Sequence, residues 1–184
     1  MKTVKYQEYN NLIAVGVALV AVVLVLVWAT MAAASNGGPT TTQPAGPAHM
    51  YLTIQINPVT GWPQYSPANF TVPAGEVVFT IVDYDSPMNW TSCTCNVNGT
   101  VGGTETVNGT SYSVVSNANV AHTFDIPSLH LNVMSPGMST VTFAVDVTQA
   151  GTYTWMCVTP CGTNGYTGGA MSTPGYMSGT MTVV

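Results

Sequence analysis

The chain has 184 residues, enough for one hydrophobic core, and only 5% of them are charged. Its two basic residues, Lys2 and Lys5, lie at the N-terminus, so the rest of the chain carries no Lys or Arg. A domain without cationic side chains cannot bind nucleic acid through its phosphates, and its carboxylates cannot pair with Lys or Arg. So few charges suit an acidic exterior, where carboxylates are protonated. We therefore predict an acidophilic, archaeal source.

Residues 12–34 form an uncharged run of 23 residues rich in Val, Ala and Leu. At about 1.5 Å per residue, a helix of this length crosses a hydrocarbon core of roughly 30 Å. Because Lys2 and Lys5 precede the run, the N-terminus is predicted to be cytoplasmic and the rest of the chain extracytoplasmic. Residues 32–35, Ala-Ala-Ala-Ser, resemble a signal-peptide cleavage site, but the apolar run is longer than a signal peptide requires. We predict that residues 1–35 form a single-pass anchor in the cell membrane.

Residues 36–49 are rich in Gly, Pro and Thr and are predicted to form a flexible tether. Residues 50–184 then contain short apolar runs separated by Gly, Pro and Asn. Residues 77–82 are continuously apolar apart from Thr80, as in a strand buried on both faces, and residues 141–147 alternate apolar and other side chains. No sustained helical period occurs in this part of the sequence. The pattern predicts a mainly β extracytoplasmic domain, a sandwich or barrel.

A Gly-, Thr- and Asn-rich stretch, residues 89–119, interrupts the strand pattern and is predicted to be a surface insertion. It contains three of the four Asn-x-Thr sequons of the chain, at Asn89, Asn98 and Asn108, and the fourth is at Asn69. Such sequons are acceptors for N-glycosylation. A glycosylated exterior would supply the solubility that charged side chains do not.

Two motifs follow the insertion. Residues 122–129 read His-Thr-Phe-Asp-Ile-Pro-Ser-Leu, and residues 151–164 read Gly-Thr-Tyr-Thr-Trp-Met-Cys-Val-Thr-Pro-Cys-Gly-Thr-Asn. A Pro-Gly turn within residues 134–137 and the alternating strand lie between them. This order resembles subunit II of haem–copper terminal oxidases, over about 60 residues at the C-terminus. The resemblance implies a cupredoxin-like Greek-key β-sandwich behind one N-terminal transmembrane helix.

In that family, the two motifs supply the ligands of a dinuclear copper centre. The resemblance implies that His122 is the first imidazole ligand and that Cys157 and Cys161 are the bridging thiolates. Met177, or alternatively Met171, would be the thioether. Thr159 occupies the position where the family often has a Glu that contributes its backbone carbonyl. Soft sulfur and imidazole ligands of this kind suit copper.

The sequence departs from the family at Gly165, where the second imidazole is expected. The other histidines of the chain are His49, in the predicted tether, and His130. With one imidazole missing, the copper site is predicted to be degenerate or vestigial. A disulfide between Cys157 and Cys161 is then expected on the oxidising side of the membrane, with bound copper as the alternative.

The remaining cysteines form a Cys-Thr-Cys sequence at Cys93 and Cys95. Three arrangements are compatible with this spacing. The two can form a second structural pair, bond to another chain, or link to Cys157 or Cys161. Because cysteines two residues apart bond to each other only in a restricted geometry, the sequence leaves these alternatives open.

Quinol oxidases keep the subunit II fold but lose copper ligands, because their electrons come from a membrane quinol. We therefore predict a non-catalytic subunit II of a quinol-oxidising respiratory terminal oxidase, with a structural or electron-relaying role. Its partners would be subunit I, which holds the haems, and other membrane subunits. One alternative is a membrane-anchored blue copper carrier resembling sulfocyanin, which would use His122, one cysteine and a methionine. Another is a metal-free structural surface protein.

Overall fold

The computed structural model describes residues 46–161 and 168–184, which form a mainly β, two-sheet sandwich. Gly, Pro and Asn separate the strands, as the sequence predicts. The strands are β1 (Ala48–Ile56), β2 (Pro63–Ser66), β3 (Asn69–Val72), β4 (Gly75–Asp83), β5 (Glu105–Val107), β6 (Thr110–Tyr112), β7 (Val120–Ile126), β8 (Leu131–Pro136), β9 (Ser139–Val147), β10 (Gly151–Met156) and β11 (Ser178–Val183). Short 3-10 helices occupy Val101–Gly103, Pro127–Leu129 and Gly169–Ser172.

The first sheet has six strands in the order β2-β1-β4-β9-β5-β6. Its centre is the antiparallel pair of β4 and β9, which runs from Gly75 opposite Val147 to Asp83 opposite Ser139. Only alternate residues of β4 are buried, so the expectation that residues 77–82 are buried on both faces is wrong. The reason is that the second sheet covers one face of β4, and the other face keeps partial solvent contact.

The second sheet has five strands in the order β3-β11-β10-β7-β8. Strands β7 and β8 pair in antiparallel register, with an irregularity between Val120 and His122. A bulge of this kind adds a residue to one strand and changes the direction in which the neighbouring side chain points. Here it immediately precedes His122, so local sheet geometry sets the position of this side chain.

The core between the sheets is rich in aromatic rings. Phe79 stacks on Phe143 with ring centroids 5.2 Å apart, and Phe124 stacks on Trp155 at 5.3 Å. Tyr65 approaches Trp155 at 4.8 Å. All five side chains are buried, and aromatic rings bury large apolar areas in fixed orientations. This core gives β7 and β10 a rigid base, and both strands lead into the candidate site.

Several predictions concern the termini and the insertion. Among the described residues, no helix has the length and apolar character needed to cross a membrane. The predicted anchor, residues 1–35, lies outside the described ranges.

Strand β1 begins at Ala48, so it includes His49, which was predicted to lie in the tether. Residues 89–119 contain the hairpin of β5 and β6, which extends the edge of the six-stranded sheet through β9.

Candidate metal centre

Two strands of the five-stranded sheet bring the motif residues together. His122 lies near the start of β7, and Cys157 directly follows β10, four residues before Cys161. The ligand atoms of these three side chains all lie within 4.8 Å of one another. They form the one cluster of three or more His, Cys, Asp or Glu ligand groups found in residues 46–161 and 168–184.

The two sulfur atoms of the cluster are held by different partners. Cys161 Sγ lies 2.9 Å from His122 Nδ1, and Cys157 Sγ accepts a hydrogen bond from the backbone N–H of Thr123 at 3.4 Å. The two Sγ atoms are 3.5 Å apart, so both cysteines are free thiols. The structure therefore differs from the expected Cys157–Cys161 disulfide. The separate contacts to β7 keep the two sulfurs close without a covalent bond.

Asp85 fixes the orientation of the imidazole. Its Oδ2 atom lies 3.0 Å from His122 Nε2, and the imidazole is buried while the carboxylate is 24% exposed. A carboxylate can only accept from this nitrogen, so Nε2 carries a proton. In the neutral imidazole, the lone pair is then on Nδ1, which faces the two thiols. A carboxylate that orients a ligating histidine in this way is a common feature of protein metal sites.

Charges in the cluster depend on one another. Burial opposes a charged His122, but the hydrogen bond to Asp85 and the neighbouring Cys157 outweigh it and raise the pKa of His122 to about 9. The hydrogen bond from His122 lowers the pKa of Asp85. Burial also opposes a Cys157 thiolate, yet hydrogen bonds involving Cys161, His122 and the Thr123 N–H lower the pKa of Cys157. The hydrogen bond to Cys157 and burial raise the pKa of Cys161, so Cys157 ionises first.

The loop after β10 places a carbonyl group and a methionine beside the thiols. The carbonyl of Thr159 accepts from the Cys161 N–H at 2.8 Å and lies 3.8 Å from Cys157 Sγ. The carbonyl of Met177 accepts from the Cys157 N–H at 2.8 Å. The Met177 side chain is buried in the same hydrophobic cluster as Cys157, whereas Met171 is partly exposed. The Thr159 carbonyl and the Met177 backbone thus lie next to the cysteines, and the ligand roles that the resemblance implies for them stay predictions.

The other two histidines do not join the cluster. His49 lies in β1 opposite Val78, and His130 is exposed after the 3-10 helix Pro127–Leu129, with a φ of 51°. Neither belongs to the group of ligand atoms around His122. Gly165, the expected position of the second imidazole, lies outside the described residues. Because Gly has no side chain, Gly165 cannot contribute an imidazole ligand in any conformation.

The sequence did not identify Asp85 as part of the site. Asp85 lies 37 residues before His122, in a loop without a motif. The segment after β4 passes the start of β7, where the Met88 N–H donates to the Val120 carbonyl. One feature of the sequence indicates such a pair. Because residues 6–184 contain no Lys or Arg, a histidine is the only basic side chain in this part of the chain that can pair with a carboxylate.

Gly137 holds the Asp85 loop in place through a close backbone approach. A methyl group on Gly137 would lie 2.6 Å from Ser86 C and 2.7 Å from Asp85 O. We expect Gly137→Ala to displace this loop and lower the free energy of unfolding by about 1–3 kcal/mol, as overpacking does. The variant should also lose the Asp85–His122 hydrogen bond, which the chemical shift of His122 Nε2 reports by NMR. Gly46→Ala is the matched control, because no atom of the described part of the chain lies within 4 Å of its added methyl. Equal stability of the two variants would contradict the prediction.

Comparison with known proteins gives structural likenesses of low sequence identity. A chain from the cryo-EM structure of a heme–copper terminal oxidase dimer has a TM-score of 0.41 and 14% identity, covering 93% of this chain and 98% of that chain. Amicyanin from Paracoccus versutus (Thiobacillus versutus) has a TM-score of 0.31 and 14% identity, with coverages of 77% and 84%. Auracyanin B has a TM-score of 0.38 and 13% identity, with coverages of 76% and 91%.

No protein-family model matches the chain, and no curated protein matches its sequence. At these identities and TM-scores, the structural likenesses do not establish a family or a function.

Proposed function

We propose that this chain is a membrane-anchored subunit II of a respiratory haem–copper terminal oxidase, with a copper-binding electron-transfer domain outside the membrane. The observation that carries the proposal is the convergence of His122 Nδ1 with the Sγ atoms of Cys157 and Cys161 within 4.8 Å. The subunit would be non-catalytic. Its partner would be subunit I, where the haems and the oxygen chemistry reside, and residues 1–35 would anchor it in the cell membrane.

The donor set fits a single copper ion. His122 offers one imidazole nitrogen and Cys157 and Cys161 offer two sulfurs, with Thr159 and Met177 adjacent as weaker donors. A bound copper ion at this position would exchange one electron with its redox partners. The chain's own groups prepare the site: Asp85 holds the proton on Nε2, and the Thr123 N–H stabilises a thiolate at Cys157. The buried aromatic core limits movement of the ligand strands.

The donor set does not fit the complete dinuclear centre of the family. Such a centre needs two imidazoles, and the chain's other histidines, His49 and His130, do not join the cluster. An oxidase whose subunit II lacks this centre can take its electrons from a membrane quinol. Burial of Asp83, Glu105 and Asp125 also supports the quinol proposal, because these carboxylates cannot form an acidic docking surface for a basic cytochrome.

The test is purification of the full chain from its native membranes under mild detergent. We expect it to co-purify with a haem-containing subunit and with oxygen consumption that a quinol sustains and reduced cytochrome c does not. A cytochrome c-driven activity would exclude the quinol assignment and leave the subunit assignment intact. Absence of haem from the preparation would contradict the subunit assignment itself.

A second candidate is a mononuclear blue copper carrier with His122, one thiolate and Met177 as ligands. The observation that favours it is that the buried Met177 side chain packs in the same hydrophobic cluster as Cys157, within this one chain. Reconstitution of the purified chain with Cu(II) separates the two proposals. Intense blue absorption and isolation without a haem subunit would favour the carrier.

A further inference from the structure

A second sulfur cluster lies on the face of the five-stranded sheet that points away from the aromatic core. Cys93 and Cys95 are joined by a disulfide, with Cα atoms 5.1 Å apart, and Cys93 Sγ lies 3.9 Å from the thioether sulfur of Met134. Met134 belongs to β8, whereas both cysteines come from the predicted insertion. Three sulfur atoms from two distant parts of the chain therefore meet at one place.

The surroundings of this cluster are apolar and largely closed to water. Cys95 and Met134 are buried, and Cys93 is partly exposed. They pack in a separate hydrophobic cluster whose other members are Trp90, Val97, Val115 and Val120. An apolar shell limits solvent access to a site and protects sulfur ligands from oxidation. Partial exposure of Cys93 leaves an entry path for a reagent or an ion.

Glu105 holds the methionine in position. Its Oε2 atom accepts a hydrogen bond from the Met134 N–H at 2.9 Å, and the side chain is buried. The other oxygen of the Glu105 carboxyl group, Oε1, has no hydrogen-bond partner among residues 46–161 and 168–184. The backbone of Met134 is thus fixed by a contact that the β-sheet itself does not require.

We propose that Cys93 and Cys95, once their disulfide is reduced, form a Cu(I) site together with Met134. Thiolate and thioether ligands select Cu(I). Two sulfurs that each lie about 2.3 Å from one metal in a trigonal arrangement are about 4 Å apart, which is the separation of Cys93 and Met134. The proposal does not depend on the oxidase assignment, since it uses none of the residues of the candidate metal centre.

Formation of the site has two balanced steps. A small dithiol reduces the Cys93–Cys95 bond: it transfers two electrons and two protons, so two thiols form and the reductant becomes a disulfide. Cu(I) then replaces the two thiol protons, which are released to solvent, and Met134 adds its lone pair. The copper does not change its oxidation state. The dithiol is the only reductant that the two steps require.

The β7–β8 strand pair connects the sulfur cluster of Cys93, Cys95 and Met134 to the candidate metal centre. Met134 is opposite Thr123 in the β7–β8 pair, and the Thr123 N–H donates to Cys157 Sγ. The next pair along the strands joins His122 to Ser135. The two sulfur sites are therefore linked through adjacent strands, and a Cu(I) ion held by Met134 would lie one strand away from β7.

The experiment uses the full-length chain with Cys157→Ser and Cys161→Ser, which removes the candidate metal centre. The protein is reduced anaerobically with dithiothreitol, freed of it by gel filtration, and titrated with Cu(I) against a chromophoric Cu(I) chelator. We expect one tightly bound Cu(I) per chain after reduction and none before. Met134→Leu should weaken binding at least tenfold. Met181→Leu, which changes a buried thioether on β11, is the matched control and should leave binding unchanged.

Four results would overturn the proposal. The first is a reduced protein that binds no Cu(I). The second is binding that persists after Cys93→Ser and Cys95→Ser are added. The third is loss of the β circular dichroism spectrum on reduction, since the disulfide would then be required for folding. If Met134→Leu binds as tightly as the control, the thioether is not a ligand and the three-sulfur site is wrong.

Discussion

Raising the pH from 4 to 8 is expected to lower the free energy of unfolding of the outer domain. Burial raises the pKa of Asp83 to about 6, that of Asp125 to about 7 and that of Glu105 to about 8. In the unfolded chain these groups ionise near their ordinary values of 3.8 to 4.5. Between the two values the folded state binds more protons, so stability falls as the pH rises. The domain should therefore keep its fold in acid.

Glu105 offers the clearest single test of this behaviour. Apart from burial, the one contribution to its shift is the hydrogen bond from the Met134 N–H, which lowers the pKa and only partly offsets burial. Glu105→Gln keeps the acceptor for Met134 but cannot ionise. We expect the variant to match the wild-type chain at pH 4 and to be more stable at pH 8, by at most about 4 kcal/mol. Denaturant unfolding followed by circular dichroism measures the difference.

The control is Glu76→Gln, because Glu76 lies exposed on β4 and its carboxylate is not desolvated. Its stability curve should run parallel to that of the wild-type chain. The pair of His122 and Asp85 also contributes to the dependence of stability on pH. His122 loses its contribution as the pH rises toward 9, in the same direction as Glu105, whereas Asp85 loses its own only below about pH 4. Equal stability of Glu105→Gln at pH 4 and pH 8, relative to wild type, would contradict the prediction.

The sequence predicted those parts of the fold and of the site that depend on regular strands. The alternating pattern of residues 141–147 predicts β9, because alternating apolar residues can bury one face of a sheet. The resemblance to subunit II implies that His122 meets Cys157 and Cys161, and the structure brings their ligand atoms within 4.8 Å of one another. These residues lie on or directly after strands of one sheet, so their distances depend on regular backbone geometry.

Other features depend on how an irregular segment packs, which the sequence pattern does not encode. Asp85 reaches His122 only because the loop after β4 passes the start of β7. Glu105 is buried although it lies in a polar, Gly-rich stretch that resembles a surface loop. Cys93 and Cys95 bond to each other because Cys95 adopts a left-handed backbone with a φ of 43°. Non-Gly residues rarely adopt this conformation, so a spacing rule would not favour the bond.

One copper ion per chain, rather than two, is the expected stoichiometry of the candidate metal centre. Two copper ions bridged by two thiolates each require an imidazole, and the cluster contains only that of His122. His130 is exposed and follows a 3-10 helix that begins after β7 ends, and His49 is fixed in β1 by its pairing with β4. Neither belongs to the group of ligand atoms that His122 forms with Cys157 and Cys161. A second ion would therefore lack a strong nitrogen ligand.

Substitutions at the centre give the largest expected effects on binding. In a chain whose Cys93–Cys95 disulfide is kept oxidised, Cys157→Ser should abolish copper binding, and His122→Gln should weaken it at least a hundredfold. Asp85→Asn should weaken binding by roughly 10- to 100-fold, as loss of a carboxylate that orients a ligating histidine does. His130→Gln is the matched control and should change neither affinity nor stoichiometry. Metal analysis of the purified chain with electron paramagnetic resonance distinguishes the outcomes: a four-line copper spectrum is expected. A seven-line mixed-valence spectrum, lost in His130→Gln or His49→Gln, would show that one of these histidines supplies the second imidazole after a rearrangement of the loops.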